Sequence, residues 1–296
     1  MVKESTISVI VPVYNEESAI LQTLDDINKT LEDFLQNEII VVNDGSTDTT
    51  LDKVRESNIK NLRIINHIEN LGYGRSLSDG IMVAKYNCIA IIDGDGSYPA
   101  EMIKHLYDYY PQYDMIVGAR KGKEYKRGIF KRLSRILFSY SVAYVIGKKV
   151  PDVNSGLRIF KKDVVMRFQH SFCTGFSFTT VLTLFFFLNH YYVKYVPIDY
   201  AKRKGKSKVS HFKDTLRSTQ IIAEAVLYYN PLKLFLLLAA LSSIFGIILE
   251  IVNYSIFRID FLSILSAIFI ASFFPIFGLG LIANQIKQVY KSNKME

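Results

Sequence analysis

Tryptophan is absent from this chain of 296 residues, and cysteine occurs only twice, at Cys88 and Cys173. Two thiols so far apart, with no C-x-x-C spacing, exclude a disulfide scaffold and a cysteine-ligated zinc site, and fit a reducing compartment. The sequence has no G-x-x-x-x-G-K-[ST], G-x-S-x-G or H-E-x-x-H. P-loop nucleotide hydrolysis, an α/β-hydrolase nucleophile and a zinc peptidase site are therefore excluded. Gly72 and Gly74 lack the third glycine of a dinucleotide fingerprint and read as a turn that opens a helix near a ligand. The histidines at 67, 105, 170, 190 and 211 are scattered, and each is expected on the surface or in packing. The first residues have no long apolar stretch, which argues against a signal peptide. Apolar residues make up 49% and charged residues 22%, enough for a sizeable core and unlike a disordered chain. The net charge of +8 asks for an anionic partner. No RRM, helix-turn-helix or zinc-finger signature accompanies that charge, which disfavours nucleic acid.

Two apolar runs stand near the end: 232–254, where only Lys233 and Glu250 are charged, and 261–283, with no charge. Each is long enough to cross a hydrocarbon core of ~30 Å. The connector at 255–260 is short, so the runs predict a helical hairpin with both chain ends on one side. The connector holds only Arg258, whereas the tail holds Lys287, Lys291 and Lys294 and the segment before the first run is strongly basic. The positive-inside rule then places both ends in the cytoplasm. The expected layout is a cytosolic domain over 1–211, a juxtamembrane amphipathic helix over 212–230 and an integral membrane anchor of two helices over 231–296. Pro275, Gly278 and Gly280 are expected to kink the second helix. Ala239, Ser243 and Gly246 form a small-residue face suited to helix–helix or subunit–subunit packing. Glu250, near the far interface, is expected to snorkel.

In the first part, 7–13, 38–42, 62–65 and 88–92 read as strands. Helical spacing covers 16–37 through Ile20, Leu24, Ile27 and Leu31, and a second helix runs to about 58 with Ser46 or Thr47 as its cap. A third helix passes through 77–84. This order predicts an α/β fold, a mostly parallel Rossmann-like sheet with helices on both faces. The strands are continuous apolar runs, as befits a sheet covered on both sides. Further on, 129–147 mixes basic and apolar residues like an interfacial helix, 176–188 reads as a buried helix and 192–197 as a strand.

Ligands of such sheets bind at the carboxyl ends of the strands. Past the first strand come Tyr14, Asn15 and Glu16; past the second, Asn43, Asp44, Ser46 and Asp48; past the fourth, Asp93, Gly94, Asp95, Gly96 and Ser97. Asp93 and Asp95, two positions apart after a buried strand, suit a hard cation, Mg²⁺ or Mn²⁺, shared with phosphate oxygens of a ligand. An Asp-Gly turn is the plain alternative for that pair taken alone; carboxylates from two further strand ends favour a site.

As a set, VPVYNE at 11–16, VNDGSTD at 42–48, NLGYG at 70–74 and DGDGSYP at 93–99 resemble the family 2 glycosyltransferases of GT-A fold. GAR at 118–120, DVNSGLR at 152–158 and RKGKSK at 203–208, with the apolar hairpin after them, resemble the polyprenyl-phosphate glycosyltransferases. That group includes dolichol-phosphate mannose synthase and bacterial undecaprenyl-phosphate glucosyltransferases. The resemblance covers about residues 5–215. It implies that Pro12, Tyr14, Glu16, Val42, Asp44, Gly74 and Gly94 belong to the site for a nucleotide-diphosphate sugar, and that Asp93 and Asp95 hold its diphosphate and the metal. It implies further that Arg120, Lys131, Arg132, Ser134, Lys202 and Lys208 receive the phosphate of an undecaprenyl or dolichyl lipid. Arg203 or Lys202 matches a basic residue near the diphosphate, so Asp93, Asp95, Arg120 and Arg203 form the implied catalytic set. Ser97 stands where many relatives carry Gln, and the Arg-x-Gly spacing at 203–205 is one residue shorter than in many relatives. A homotetramer through the hairpins is the family-based expectation.

Charge supports this reading independently. Residues 118–135 hold eight Lys and Arg against Glu124, and 200–217 hold seven against Asp214, so the remainder of the chain is net acidic. A basic stretch before the anchor attracts anionic headgroups or the phosphate of a lipid substrate. A lipid phosphate is already an anion and needs no base, which leaves positioning and stabilisation of the leaving diphosphate as the protein's tasks. Three rival readings remain. A processive synthase resembles Q-x-x-R-W, which a chain without tryptophan lacks. A non-catalytic nucleotide-sugar-binding scaffold is disfavoured by Asp93, Asp95 and Arg120. A hydroxyl-acceptor enzyme needs a carboxylate base, for which Asp152 is the candidate.

Overall fold

The computed structural model describes residues 5–122, 129–167, 178–201 and 230–292, with Gln220 and Leu227 as isolated positions. It divides into two compact units, Met1–Ser218 and Thr219–Glu296. In the first unit the order is β1 Thr6–Val13, α1 Ile20–Leu31, β2 Gln36–Asp44, α2 Thr50–Glu56, β3 Leu62–His67, α3 Tyr73–Val83 and β4 Cys88–Ile91. Then come α4 Met102–Tyr107, β5 Met115–Lys121, α5 Ile129–Ile146, β6 Arg158–Lys161, α6 Lys162–Met166, α7 Phe178–Leu188 and β7 Val193–Asp199.

The seven strands form one sheet in the order β3-β2-β1-β4-β6-β5-β7. β3, β2, β1 and β4 are parallel, as the alternating strand–helix pattern predicts. β6 runs antiparallel to both β4 and β5, and β7 is parallel to β5. Because β6 is reversed, its first residue, Arg158, lies beside Ile91 of β4 and Val117 of β5. The turn that enters β6 therefore shares a rim with the carboxyl ends of β1, β2, β4, β5 and β7.

Alternate strand residues feed two cores. Val9, Val11, Ile39, Val41, Ala90 and Ile159 pack against α1, α2 and α4 on one face. Ile10, Ile40, Ile89, Ile91, Val117 and Phe160 pack against α3, α6 and α7 on the other. Ile20, Leu24, Ile27 and Leu31 of α1 are all buried at the spacing read from the sequence. Each such side chain contributes roughly 1.5–3 kcal/mol by leaving water. α7, rich in Phe and Leu, is the buried helix expected there.

The second helix is not capped as expected. α2 begins at Thr50 after Thr49. The Ser46 hydroxyl instead accepts from Asn15 N at 2.9 Å, Thr47 bonds to the Asn15 side chain, and Asp48 Oδ1 accepts from Thr50 N at 3.0 Å. The residues after β2 are thus spent on tying two strand-end loops together.

In the second unit, α8 Pro231–Val252 continues as a π-turn over Asn253–Phe257, then α9 Asp260–Ala271 and α10 Phe273–Ser292 follow. The spans Pro231–Phe257 and Asp260–Val289, of 27 and 30 residues, are long and apolar enough to cross a membrane. Leu241, Ile244, Ile251, Ile264, Ile268 and Phe274 point outward, as lipid-facing side chains do. The break at Ser272 lies where Pro275 removes an amide donor and its ring crowds the carbonyl of Ala271. Ala239 and Gly246 are buried within this unit, and a Cβ on Gly246 would meet Ile270 and Ser266 O at 2.8 Å, so the small-residue face packs helix on helix. Glu250 does not snorkel: its carboxylate accepts from Ser263 Oγ at 3.2 Å and Ser266 Oγ at 2.6 Å of α9. Asn253 closes the hairpin turn by bonding both N and O of Ile259.

Candidate active site

The rim is assembled from strand ends. Pro12 of β1 faces Val42 of β2 in register, and Val13 faces Asn43. Tyr14, Asn15 and Glu16 follow β1, with Glu16 buried. Asn15 has φ +53°, a region that Asn tolerates better than most residues. In that conformation its Oδ1 accepts from Thr47 N at 2.7 Å, and its own N–H reaches Ser46.

Asp44 is buried, and its two oxygens accept from Leu71 N and Gly72 N at 2.9 Å each. His67 Nδ1 lies 2.8 Å from Asp44 Oδ1, His67 Nε2 lies 3.1 Å from Asp79, and Asp79 accepts from Arg75 at 2.7 Å. His67 is thus neither a surface nor a plain packing residue, contrary to the sequence-based expectation. Its spacing from Asp44, across two neighbouring strands, gave no local signal. The chain Arg75–Asp79–His67–Asp44 pins the turn at 69–72, where Gly72, at φ +98°, opens α3 and buries Gly74 in its first turn.

Tyr73, the first residue of α3, donates its hydroxyl to Asp93 Oδ1 at 2.9 Å. Desolvation, then the Asp93 charge, pushes that phenol well above its ordinary range, so it remains a protonated donor at neutral pH. Asp93 also lies against the bare Cα of Gly156, where a Cβ would sit only 2.7 Å from the Asp93 carboxyl carbon. Glycine leaves the cradle open for the carboxylate. Asp95 is buried, and its Oδ1 accepts from Ser97 N at 3.0 Å and Ser97 Oγ at 2.6 Å. The Ser97 carbonyl accepts from Ala201 N at 3.0 Å.

Arg120, from the end of β5, forms a two-pronged ion pair with Asp152: Nε to Oδ2 at 2.8 Å and Nη2 to Oδ1 at 2.9 Å. The Arg120 backbone N–H adds a third bond at 3.1 Å, and its guanidinium carbon lies 5.5 Å from the Tyr200 ring centroid. Asp152 is buried and also accepts from Asn154 N. A carboxylate so engaged clamps Arg120 in place. Tyr98 accepts from Gly156 N at 2.7 Å and packs edge-on to Tyr200 at 5.2 Å; burial pushes its phenol up.

Beneath this rim Arg158 is fully buried and bonds four oxygens, those of Ser155 O, Val153 O, Thr179 O and Thr183 Oγ1, at 2.7–3.1 Å. It fixes the 152–157 turn to α7. Desolvation lowers its pKa, yet an arginine stays charged, so it adds fixed positive potential under the carboxylates.

Of the residues nominated for the lipid phosphate, Lys131, Arg132 and Ser134 fall on α5 with side chains outside the described residues, and Lys202, Arg203 and Lys208 lie outside them altogether. Among the described residues no group of three or more His, Cys, Asp or Glu is placed to hold a metal by itself. Asp93 and Asp95 fit the part expected of them: two oxygen donors on one turn, in a cradle kept clear by Gly156, with room left in a cation's shell for phosphate oxygens.

Residues 8–179 match the profile of glycosyl transferase family 2. The chain belongs to that family. It is a glycosyltransferase, and it is 28% identical over 209 residues to the dolichyl-phosphate hexose transferase of Haloferax volcanii, a match covering 70% of this chain and 87% of that one. It is 26% identical over 164 residues to the undecaprenyl-phosphate 4-deoxy-4-formamido-L-arabinose transferase of Aeromonas hydrophila, covering 54% of this chain and 50% of that one. The glycosyltransferase thus spans most of one such relative and about half of the other. Its fold is similar to that of glucosyl-3-phosphoglycerate synthase from Mycobacterium tuberculosis, solved with Mn²⁺, UDP-glucose and phosphoglyceric acid. The TM-score is 0.59 at 20% identity, with 75% of this chain and 79% of that one covered. At that identity the likeness establishes the GT-A fold.

Proposed function

We propose that this glycosyltransferase moves a sugar, with inversion, from a UDP- or GDP-sugar to a membrane polyprenyl phosphate of undecaprenyl or dolichyl type. The observation that carries the reading is the Arg120–Asp152 clamp, set at the end of β5 on the same rim as the Asp93/Asp95 turn. A hydroxyl acceptor demands a general base. A phosphate acceptor demands a held cation, and the clamp presents one. Names of relatives that act on polyprenyl phosphates point the same way.

In this reading Pro12, Tyr14, Glu16, Val42, Asp44, Gly74 and Gly94 shape the nucleotide-sugar crevice. Asp93 and Asp95 would hold Mg²⁺ or Mn²⁺, which when bound supplies Lewis-acid stabilisation of the leaving diphosphate. Arg120 would orient the acceptor phosphate with Lys131, Arg132, Ser134, Lys202 and Lys208, while Arg203 would serve the diphosphate. These cations offset the repulsion of two phosphates brought together. The apolar helices span the bilayer with the catalytic unit and both termini on the cytoplasmic side, so that the lipid tail never leaves the membrane.

The test is transfer by the purified full chain in detergent, offered polyprenyl phosphate and labelled UDP- and GDP-sugars with Mg²⁺, Mn²⁺ or EDTA. Organic-extractable label that requires metal and disappears in Asp95→Ala is expected. Nucleotide-sugar binding without any lipid product would contradict the proposal.

A further inference from the structure

Asp93 and Asp95 share a feature that neither the ion pair nor the strand pattern requires. Each has a protein hydroxyl on its Oδ1, from Tyr73 at 2.9 Å and from Ser97 at 2.6 Å. An ionised carboxylate has about four acceptor positions, so the Tyr73 bond on Asp93 and the Ser97 N and Oγ bonds on Asp95 do not by themselves preclude metal ligation and instead fix which way each group turns. We infer that Tyr73 and Ser97 are a matched pair of positioning residues that aim the two carboxylates and thereby set the affinity for the divalent cation. The inference rests on the proposed metal role of Asp93 and Asp95.

Both hydroxyls are themselves held. Tyr73 sits on the turn whose Leu71 and Gly72 amides are bound by Asp44, and Asp44 is braced by His67 and, through it, by Asp79. The anchor of Asp93 is therefore built from β2, β3 and α3, while Asp93 itself follows β4. Ser97 is buried, and its carbonyl takes the Ala201 amide, just past the end of β7. The two carboxylates, only two residues apart in sequence, are thus oriented from opposite sides of the rim. Gly156 completes the arrangement, since a Cβ there would sit only 2.7 Å from the Asp93 carboxyl carbon and force the carboxylate to shift. Outer partners of metal-ligating side chains change metal affinity by about 10–100-fold when removed.

The experiment is Mn²⁺ titration of the full chain in detergent, followed by the electron paramagnetic resonance signal of free Mn²⁺. It is run with UDP and with GDP, alongside metal-free binding of the same nucleotides. Tyr73→Phe and Ser97→Ala are each expected to weaken Mn²⁺ binding about 10–100-fold and to leave metal-free nucleotide affinity within about two-fold of the parent. Unchanged Mn²⁺ affinity in both variants would overturn the inference. An equal loss of metal-free nucleotide binding would also overturn it, because the hydroxyls would then only be packing the crevice. Absence of Mn²⁺ binding by the parent chain with either nucleotide would sink the metal role itself, and this inference with it.

Discussion

Asp152 accepts from Arg120 on both of its oxygens, and this engages the carboxylate that a hydroxyl-acceptor mechanism would use as its base. Both partners are largely buried, so removing one leaves the other charge uncompensated, at a cost of about 3–5 kcal/mol in comparable pairs. Asp152→Asn is therefore expected to lower stability and to slow transfer at least about ten-fold through misplacement of Arg120, without altering the shape of the pH–rate profile. Stopped assays of parent and variant across neutral to alkaline pH check this. Selective loss of a rising limb with pH would instead make Asp152 a base. The pairing was hidden in the sequence, because Arg120 and Asp152 are 32 positions apart and meet only once β6 turns back beside β5. Asp93 and Asp95 were legible because both sit on one turn directly after an apolar strand. Tyr73 was not, since its motif shows a helix start and no trace of the carboxylate its hydroxyl meets.

Among the elements, α1 and the parallel strands were readable for the same reason: a long buried stripe or a run covered on both faces leaves a periodic trace. β6 has four residues with a charge at each end, too few for any period, and β5 ends in Arg120 and Lys121. In the hairpin, the small residues gave the packing face, whereas the polar contacts depended on register between helices. Gly246 permits the approach of α9, and Glu250 adds hydrogen bonds to Ser263 and Ser266. Interhelical hydrogen bonds inside membranes average only about 0.6 kcal/mol, whereas overpacking costs about 1–3 kcal/mol. Gly246→Leu is accordingly expected to lower the thermal midpoint of the full chain in detergent more than Glu250→Gln does. The opposite order would show that the polar contacts, not close packing, hold the hairpin.

At the scale of the molecule, the proposed reaction would draw on a nucleotide-sugar crevice, a clamped arginine and an apolar hairpin, with an acceptor that arrives already ionised. The basic character is local, concentrated in 118–135 and 200–217, while the rest of the chain is net acidic. Under the proposed reading, the protein's work is to hold two phosphates together, not to create a nucleophile. The most direct measurement is a competition within one detergent preparation between polyprenyl phosphate and the polyprenol of the same chain length, with the labelled nucleotide-sugar that the chain accepts. The two lipids share a tail and differ only in the phosphate. Label on polyprenyl phosphate alone, at a rate nearly independent of pH from about 7 to 9, is the predicted result. Transfer to polyprenol at a comparable rate would contradict it.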